Sequence, residues 1–252
     1  MRGSMKDHSP ILRIQNIKKY FGSLKVLDGV SFSVNEQQVL GIAGPNGAGK
    51  TTLFNLISGL LPLTAGGIFF KDENITHLKA HRVCSLGISR TFQTPVVFPT
   101  LTVRENINVG AIFGNKGISK STANQLIDDV LDLLELGHLQ NSLADNLSLY
   151  EKKLVMLSTA LATNPKLLLL DEPAAGLPRG EIEHFMEIIS RLNREQGITV
   201  MIIEHLIDWL RYISENMLII HNGAVMAYGP PEEVVRDDSV VEIYLGRKHD
   251  ES

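Results

Sequence analysis

The sequence predicts an α/β fold: a P-loop nucleotide-binding core with an antiparallel β-layer and an inserted α-helical subdomain. Three observations carry this expectation. The apolar run Val39–Ala43 leads into Gly44-Pro45-Asn46-Gly47-Ala48-Gly49-Lys50-Thr51, which fits the phosphate-loop pattern G-x-x-x-x-G-K-[ST]. A second apolar run, Leu167-Leu168-Leu169-Leu170, ends on Asp171-Glu172. Between them, residues 102–163 are mainly helical in their periodicity.

Taken in order, Ile11-Leu12-Arg13-Ile14-Gln15-Asn16-Ile17 and Val30-Ser31-Phe32-Ser33-Val34 alternate apolar and polar residues, as half-buried strands do. They predict the antiparallel layer. The unbroken run Val39–Ala43 predicts a strand covered on both faces. A helix is expected from about Lys50 through Ser58, with Gly59 as its stop. Gly67-Ile68-Phe69-Phe70 and Ile88-Ser89-Arg90-Thr91-Phe92 return to strand, and Cys84 lies in a helical stretch before the second of these.

Within the helical region, Leu126, Ile127, Val130, Leu131, Leu133 and Leu134 form one wide apolar face, and Leu154, Val155, Leu157, Leu161 and Ala162 form another. Strands are expected at 167–170 and 198–203, then at 217–221 and 224–228 around the hairpin signal Asn222-Gly223. The division is therefore a core of residues 11–94 and 164–246 around a subdomain of residues 95–163. Residues 1–10 read as a leader ahead of the strand, with Met1-Arg2-Gly3-Ser4 a vector-derived start before Met5, and residues 247–252 as a tail.

Composition narrows the partners. Net charge is −4 over 252 residues, so no basic surface argues for nucleic acid. A single cysteine excludes an intrachain disulfide and fits a reducing compartment. No run approaches the roughly 18 apolar residues of a membrane-spanning helix. A cytoplasmic location is expected, with any membrane role reached through a partner.

The motifs carry a definite chemistry. Glycines let backbone N–H groups close around phosphate oxygens, and the helix N-terminus adds partial positive charge. Gly44, Pro45, Asn46, Gly47, Ala48, Gly49, Lys50, Thr51 and Thr52 are the expected ATP-binding residues. Lys50 reaches the β- and γ-phosphates, and the Thr51 hydroxyl ligates Mg2+. Asp171 and Glu172 end a buried strand, where open α/β sheets bind ligands. Asp171 is expected to support Mg2+ through water, and Glu172 to polarise the attacking water.

Weaker signals accompany these. Gln93 follows a strand and can ligate Mg2+ or water, although glutamines at such junctions are commonly just solvated. His205 follows Ile203-Glu204 and can order the attacking water; a lone histidine is often structural. Phe21, in Lys18-Lys19-Tyr20-Phe21-Gly22, can stack on adenine or fill a core, with Tyr20 as the alternative stacking residue.

The order Phe21, Gly44 to Thr51, Gln93, Leu147-Ser148, Leu170-Asp171-Glu172-Pro173 and His205 resembles the ATPase subunit of ABC transporters, over about residues 11–246. The resemblance implies ATP hydrolysis with Mg2+, with Glu172, His205 and Gln93 as catalytic residues and Phe21 as the adenine-stacking aromatic. It implies integral membrane permease subunits contacted near Gln93, a peripheral place on the inner face of the cell membrane, and a second ATPase subunit. Ala174-Ala175-Gly176-Leu177 is then the loop crossing between the two ATPases.

Arg90-Thr91-Phe92-Gln93, that loop and Val240-Val241-Glu242-Ile243-Tyr244-Leu245-Gly246 look like one ATPase of the branched-chain amino-acid importers. Relatives carrying urea, amides or other small solutes look similar. The family signature, near L-S-G-G-Q, is read in trans by the opposite subunit's nucleotide. Here it is Leu147-Ser148-Leu149-Tyr150, with Tyr150 in the place of the second glycine. A side chain there is expected to crowd the backbone that approaches phosphate, which favours a heterodimer with an intact partner over a homodimer. It also leaves a low-turnover regulatory subunit as the alternative. Soluble ABC proteins acting on ribosomes or DNA usually carry two ATPase domains or long insertions, and a P-loop kinase would need a second substrate pocket.

Overall fold

A computed structural model describes residues 10–245. Of the expected features, the Met1 to Met5 leader, Gly246 and the 247–252 tail lie outside these residues. Pro10, placed with the leader above, already belongs to the first strand. The antiparallel layer begins with β1 (Pro10–Phe21) and β2 (Leu24–Asn35), joined by the two-residue turn Gly22-Ser23. Both strands outrun the alternating segments that announced them. Register shifts between Ile14 and Ile17 and between Ile17 and Lys18 break the alternation while the ladder continues. Two further strands, β4 (Ala65–Phe70) and β5 (Glu73–Asn74), complete a four-stranded sheet in the order β2-β1-β4-β5.

The central sheet contains β3 (Val39–Ala43), β6 (Ile88–Arg90), β7 (Leu167–Asp171), β8 (Thr199–Ile203), β9 (Asn216–His221) and β10 (Ala224–Gly229), in the order β10-β9-β3-β8-β7-β6. All neighbours pair in parallel except β9 with β10. Every residue of β3, β7 and β8 is buried, which accounts for their unbroken apolar runs. The β9–β10 hairpin turns through Asn222 (φ 48°) and Gly223 (φ 75°), the left-handed pair a two-residue turn requires.

The core helices are α1 (Lys50–Ile57), which stops one residue before Ser58, and α2 (Ala80–Ser85), which holds the half-buried Cys84. The inserted helices are α3 (Val103–Gly114), α4 (Lys120–Leu133) and α5 (Leu149–Leu161). Capping boxes open α3 at Thr102 with Glu105, and α5 at Ser148 with Glu151. On α4, Ile127, Val130 and Leu131 are buried while Leu126 and Leu133 pack at its margin. The chain then forms α6 (Arg179–Gln196), α7 (Ile207–Ile213), α8 (Pro231–Val234) and α9 (Asp238–Leu245).

Helix α6 was not among the expected elements. Its apolar Ile182, Phe185, Met186, Ile189 and Leu192 follow helical spacing, but charged residues separate them in the linear sequence. Gly197 (φ 66°) ends it. Residues of α3, α4, α5 and α6 share one apolar cluster with Leu168 and Leu170 of β7 and Val200 of β8. The inserted helices are thus packed continuously onto one face of the sheet. The layer β2-β1-β4 and helix α1 close over the other face, around Leu40, Ile42, Leu169 and Met201.

Helices α3 and α5 meet backbone to backbone at Gly110, where a Cβ would strike the Thr159 carbonyl. Gly110→Val should therefore destabilise the chain by about 1–3 kcal/mol through overpacking. Calorimetric melting checks this; an unchanged Tm would mean that α3 can shift at no cost.

Candidate functional site

The phosphate loop is shaped by close approaches on both sides. A Cβ at Gly44 (φ 151°) would run into the Ile220 carbonyl of β9. One at Gly49 (φ 104°) would lie 2.6 Å from Leu27 Cδ2 and 2.9 Å from the Val26 carbonyl of β2. These positions require glycine for space as well as for backbone angle. Gly49 caps α1 without a side-chain acceptor, and no acidic residue occupies the first turn. The first N–H groups of α1 thus remain donors for an anion.

Lys50 is buried, and its Nζ donates to the Gly44 carbonyl at 2.7 Å and the Pro45 carbonyl at 3.0 Å. Burial pushes its pKa down, against the upward pull of the nearby Glu172 and Asp171 charges. Asn46, Gly47 and Thr51 are exposed, Pro45 and Thr52 half-buried, and Ala48 buried.

The expected catalytic residues come together at one edge of the central sheet. Glu172 follows β7 in a left-handed conformation (φ 48°), with its N–H on the Ile203 carbonyl at 2.9 Å. Gln93 Nε2 donates to Glu172 Oε2 at 2.5 Å, and His205 Nε2 lies 2.8 Å from Glu172 Oε1. Gln93 and His205, separated by more than a hundred residues of chain, therefore grip one carboxylate. Such a carboxylate, oriented from both sides, can accept a proton from a water or hold that water in line.

Asp171 is buried at the end of β7, and its Oδ2 accepts from Arg90 Nη2 at 2.8 Å. Arg90 also donates from Nη1 to Asn55 Oδ1 of α1 at 2.6 Å. Its guanidinium carbon lies 5.0 Å from the Phe92 ring centroid. Burial raises the Asp171 pKa, opposed by Arg90, and lowers that of Arg90, opposed by Asp171. The pair thus connects the strand carrying the carboxylates to the helix of the phosphate loop.

Two aromatics are the candidates for adenine, Phe21 and Tyr20. Tyr20 is engaged, with its hydroxyl donating to Asp28 Oδ1 at 2.6 Å. Phe21 is 48% exposed at the end of β1, with Lys19 Nζ 4.7 Å from its ring centroid. The signature residues are not brought to the phosphate loop. Leu147 is buried, and Ser148 caps α5. Leu149 Cδ2 lies 3.2 Å from where a Cβ of Gly176 would stand. The Tyr150 hydroxyl bonds His184 Nδ1 of α6 at 2.6 Å, and its ring meets Phe185 edge-on at 6.4 Å. Burial, with the charges of Glu181 and Glu135, pushes the Tyr150 pKa up to about 12. The ring expected to crowd the signature backbone is drawn onto α6.

Three charged side chains at this edge escaped the sequence reading as working parts. Arg90 reads as part of the strand Ile88–Phe92 and of a family match. Glu204 reads as a strand end, and Lys153 falls within the helical region 102–163. Their one linear signal is a charge set within or directly after apolar residues, a pattern with many other causes.

The family pattern described as ABC transporter matches residues 27–175. The chain belongs to the ABC transporter family. This ATP-binding cassette is 39% identical to a probable branched-chain amino acid transport ATP-binding protein, LivG, of Methanocaldococcus jannaschii, over 96% of the chain and 100% of the relative. It is 34% identical to the lipopolysaccharide export system ATP-binding protein LptB of Haemophilus influenzae, over 94% of the chain and 98% of that protein.

The cassette superposes on a solved ABC transporter cassette in its ADP conformation with a TM-score of 0.84 at 38% identity, covering 95% of this chain and 100% of the other. A dimeric cassette in a post-hydrolysis state bound to ADP and Pi matches with a TM-score of 0.78 at 27% identity, covering 87% of this chain and 98% of that one. The cassette is accordingly an ATPase that binds ATP, with the expected α/β P-loop fold.

The buried Arg90–Asp171 pair yields a prediction. Arg90→Met leaves Asp171 buried without its cation, and should cost about 3–5 kcal/mol of folding stability. Urea unfolding of the full chain measures it; a loss below about 1 kcal/mol, the scale of an exposed pair, would mean that Asp171 does not depend on Arg90.

Proposed function

We propose that this cassette is the ATP-hydrolysing subunit of an importer for branched-chain amino acids or a similar small solute. The convergence of Gln93 and His205 on Glu172, beside the phosphate-loop Lys50, carries the hydrolytic part of this reading. The full-length likeness to the LivG relative, with Arg90-Thr91-Phe92-Gln93, supports the solute class. The likeness to LptB, of a lipopolysaccharide export system, is the observation that weighs against this solute class.

In this reading Mg-ATP is the substrate. Residues 44–52 and Lys50 hold the phosphates, and Phe21 stacks on adenine. No group of three or more His, Cys, Asp or Glu side chains suited to a metal occurs among the described residues. The oxygen donors of Thr51, Gln93 and Asp171 suit Mg2+, a hard cation that would arrive with the triphosphate. Glu172 takes the proton of the attacking water or orients it, and His205 orders the γ-phosphate side. Phosphoryl transfer depends chiefly on such positioning and charge stabilisation.

ABC ATPase domains dimerise and work with membrane permease subunits. No helix among the described residues is long and apolar enough to cross a membrane. We place the cassette at the inner face of the cell membrane through permease subunits that dock by Gln93 and the exposed Phe92, Val96 and Phe98. Leu147, Ser148, Leu149 and Tyr150 serve the nucleotide of a second ATPase subunit. With the Tyr150 ring drawn onto α6, the departure from the family signature is what favours a related subunit with glycine there over a second copy of this chain, and the same departure supports the reading of a low-turnover regulatory subunit.

Two outcomes test this. In vesicles bearing the assembled transporter, ATP should drive uptake of a labelled branched-chain amino acid. Glu172→Gln should abolish both uptake and hydrolysis, about 100-fold or more in rate, while ATP binding is retained. Undiminished hydrolysis would remove Glu172 from the mechanism, and hydrolysis without uptake would move the solute elsewhere. Separately, Tyr150→Gly should speed turnover at the partner's phosphate loop and leave this chain's own site nearly unchanged. Slower turnover there would make Tyr150 a working part of the signature and remove the case for asymmetry.

A further inference from the structure

Glu204 stands directly after β8 and is 3% exposed. Its backbone N–H donates to the Ile42 carbonyl of β3 at 3.2 Å, which ties it to the strand that feeds the phosphate loop. Its carboxylate looks the other way. Oε1 accepts the Ala174 N–H, two residues past Glu172, at 2.7 Å, and Oε2 accepts the N–H of His205 at 3.3 Å. One buried side chain therefore joins the loop that presents Glu172 to the backbone that presents His205.

That bridge falls beside a left-handed residue, Glu172 (φ 48°). A glutamate with positive φ persists when its surroundings over-determine it. Glu172 is held on its N-terminal side by its own N–H on the Ile203 carbonyl, and two residues later by the Ala174 N–H on Glu204. Burial raises the Glu204 pKa, opposed by the two N–H donors and by the Lys153 charge. Lys153 of α5 is 2% exposed and donates from Nζ to the Gln93 carbonyl at 3.3 Å. Lys153 thus holds the backbone of Gln93 and Glu204 that of His205, the two residues that meet at the Glu172 carboxylate.

We propose that Glu204 is a positioning residue for ATP hydrolysis, setting Glu172 and His205 relative to each other. This rests on the roles proposed above for Glu172 and His205. Glu204→Gln keeps the shape and one acceptor, but turns an amide NH2 toward the His205 N–H, donor against donor. Misplacement of a catalytic group on that scale lowers the rate by about 10-fold to 100-fold.

The test uses the assembled transporter. In the folded variant, Glu204→Gln should lower kcat by that factor with the KM for ATP unchanged. If the single variant does not fold, Glu204→Asp, which keeps the charge but draws the carboxylate back from the Ala174 and His205 N–H groups, serves in its place. Adding His205→Ala should cost little further rate, because both changes act on the same constellation. Parental turnover in Glu204→Gln, or losses that multiply fully with His205→Ala, would overturn the inference. A slowed His205→Ala chain beside an undiminished Glu204→Gln chain overturns it alone. Parental turnover in His205→Ala removes the role of His205 first, and this inference with it.

Discussion

Parallel pairing in the central sheet is the constraint on which the rest depends. Ile42 of β3 lies beside Ile203 of β8, Asp171 of β7 beside the same Ile203, and Arg90 of β6 beside Leu169 of β7. Because these strands share one direction and a close register, their C-terminal ends coincide. The phosphate loop, the Gln93 segment, Glu172 and His205 all leave the sheet at that edge. An antiparallel sheet of the same strands would send half of these groups to the opposite side. The covering layers follow from the same fact, since strands buried on both faces need apolar cover on each.

At that edge, polar groups are held by bonds made one layer deeper. The Asp171–Arg90 pair is nearly free of solvent, and Arg90 extends it to Asn55 on α1. Glu204 binds the loop after β7 to the backbone after β8. In a low-dielectric setting, such charges are stable only when partnered, so each partner also fixes geometry. The more exposed layer of Gln93, Glu172 and His205 is the one free to meet water and substrate.

The inserted helices reach this edge through α5. Its start is set by the Ser148–Glu151 capping box, its Leu149 lies against Gly176, and Tyr150 holds it to α6 through His184. Farther along, Lys153 meets the Gln93 carbonyl. The helix presenting the signature is therefore in contact with both loops that flank Glu172. A displacement of α5 would be felt at Gln93 and at the 174–177 loop alike.

Short-range order was legible in the sequence. The glycine pattern, the unbroken runs of β3 and β7, the Asn222-Gly223 hairpin and the faces of α4 and α5 each depend on a few neighbouring residues. The family order of motifs also named Phe21, Gln93 and His205. The α6 helix and the full length of β1 and β2 were hidden, because intervening charges and bulges blur local periodicity. What only the tertiary structure decided was partnership: Arg90 with Asp171, Glu204 with Ala174 and His205, and Tyr150 with His184. The chain by itself determined its strands, its phosphate loop and its carboxylates, since these follow from local backbone geometry and hydropathy. Which charged groups meet depends on strand order and register, and those are set by the packing of residues far apart in sequence.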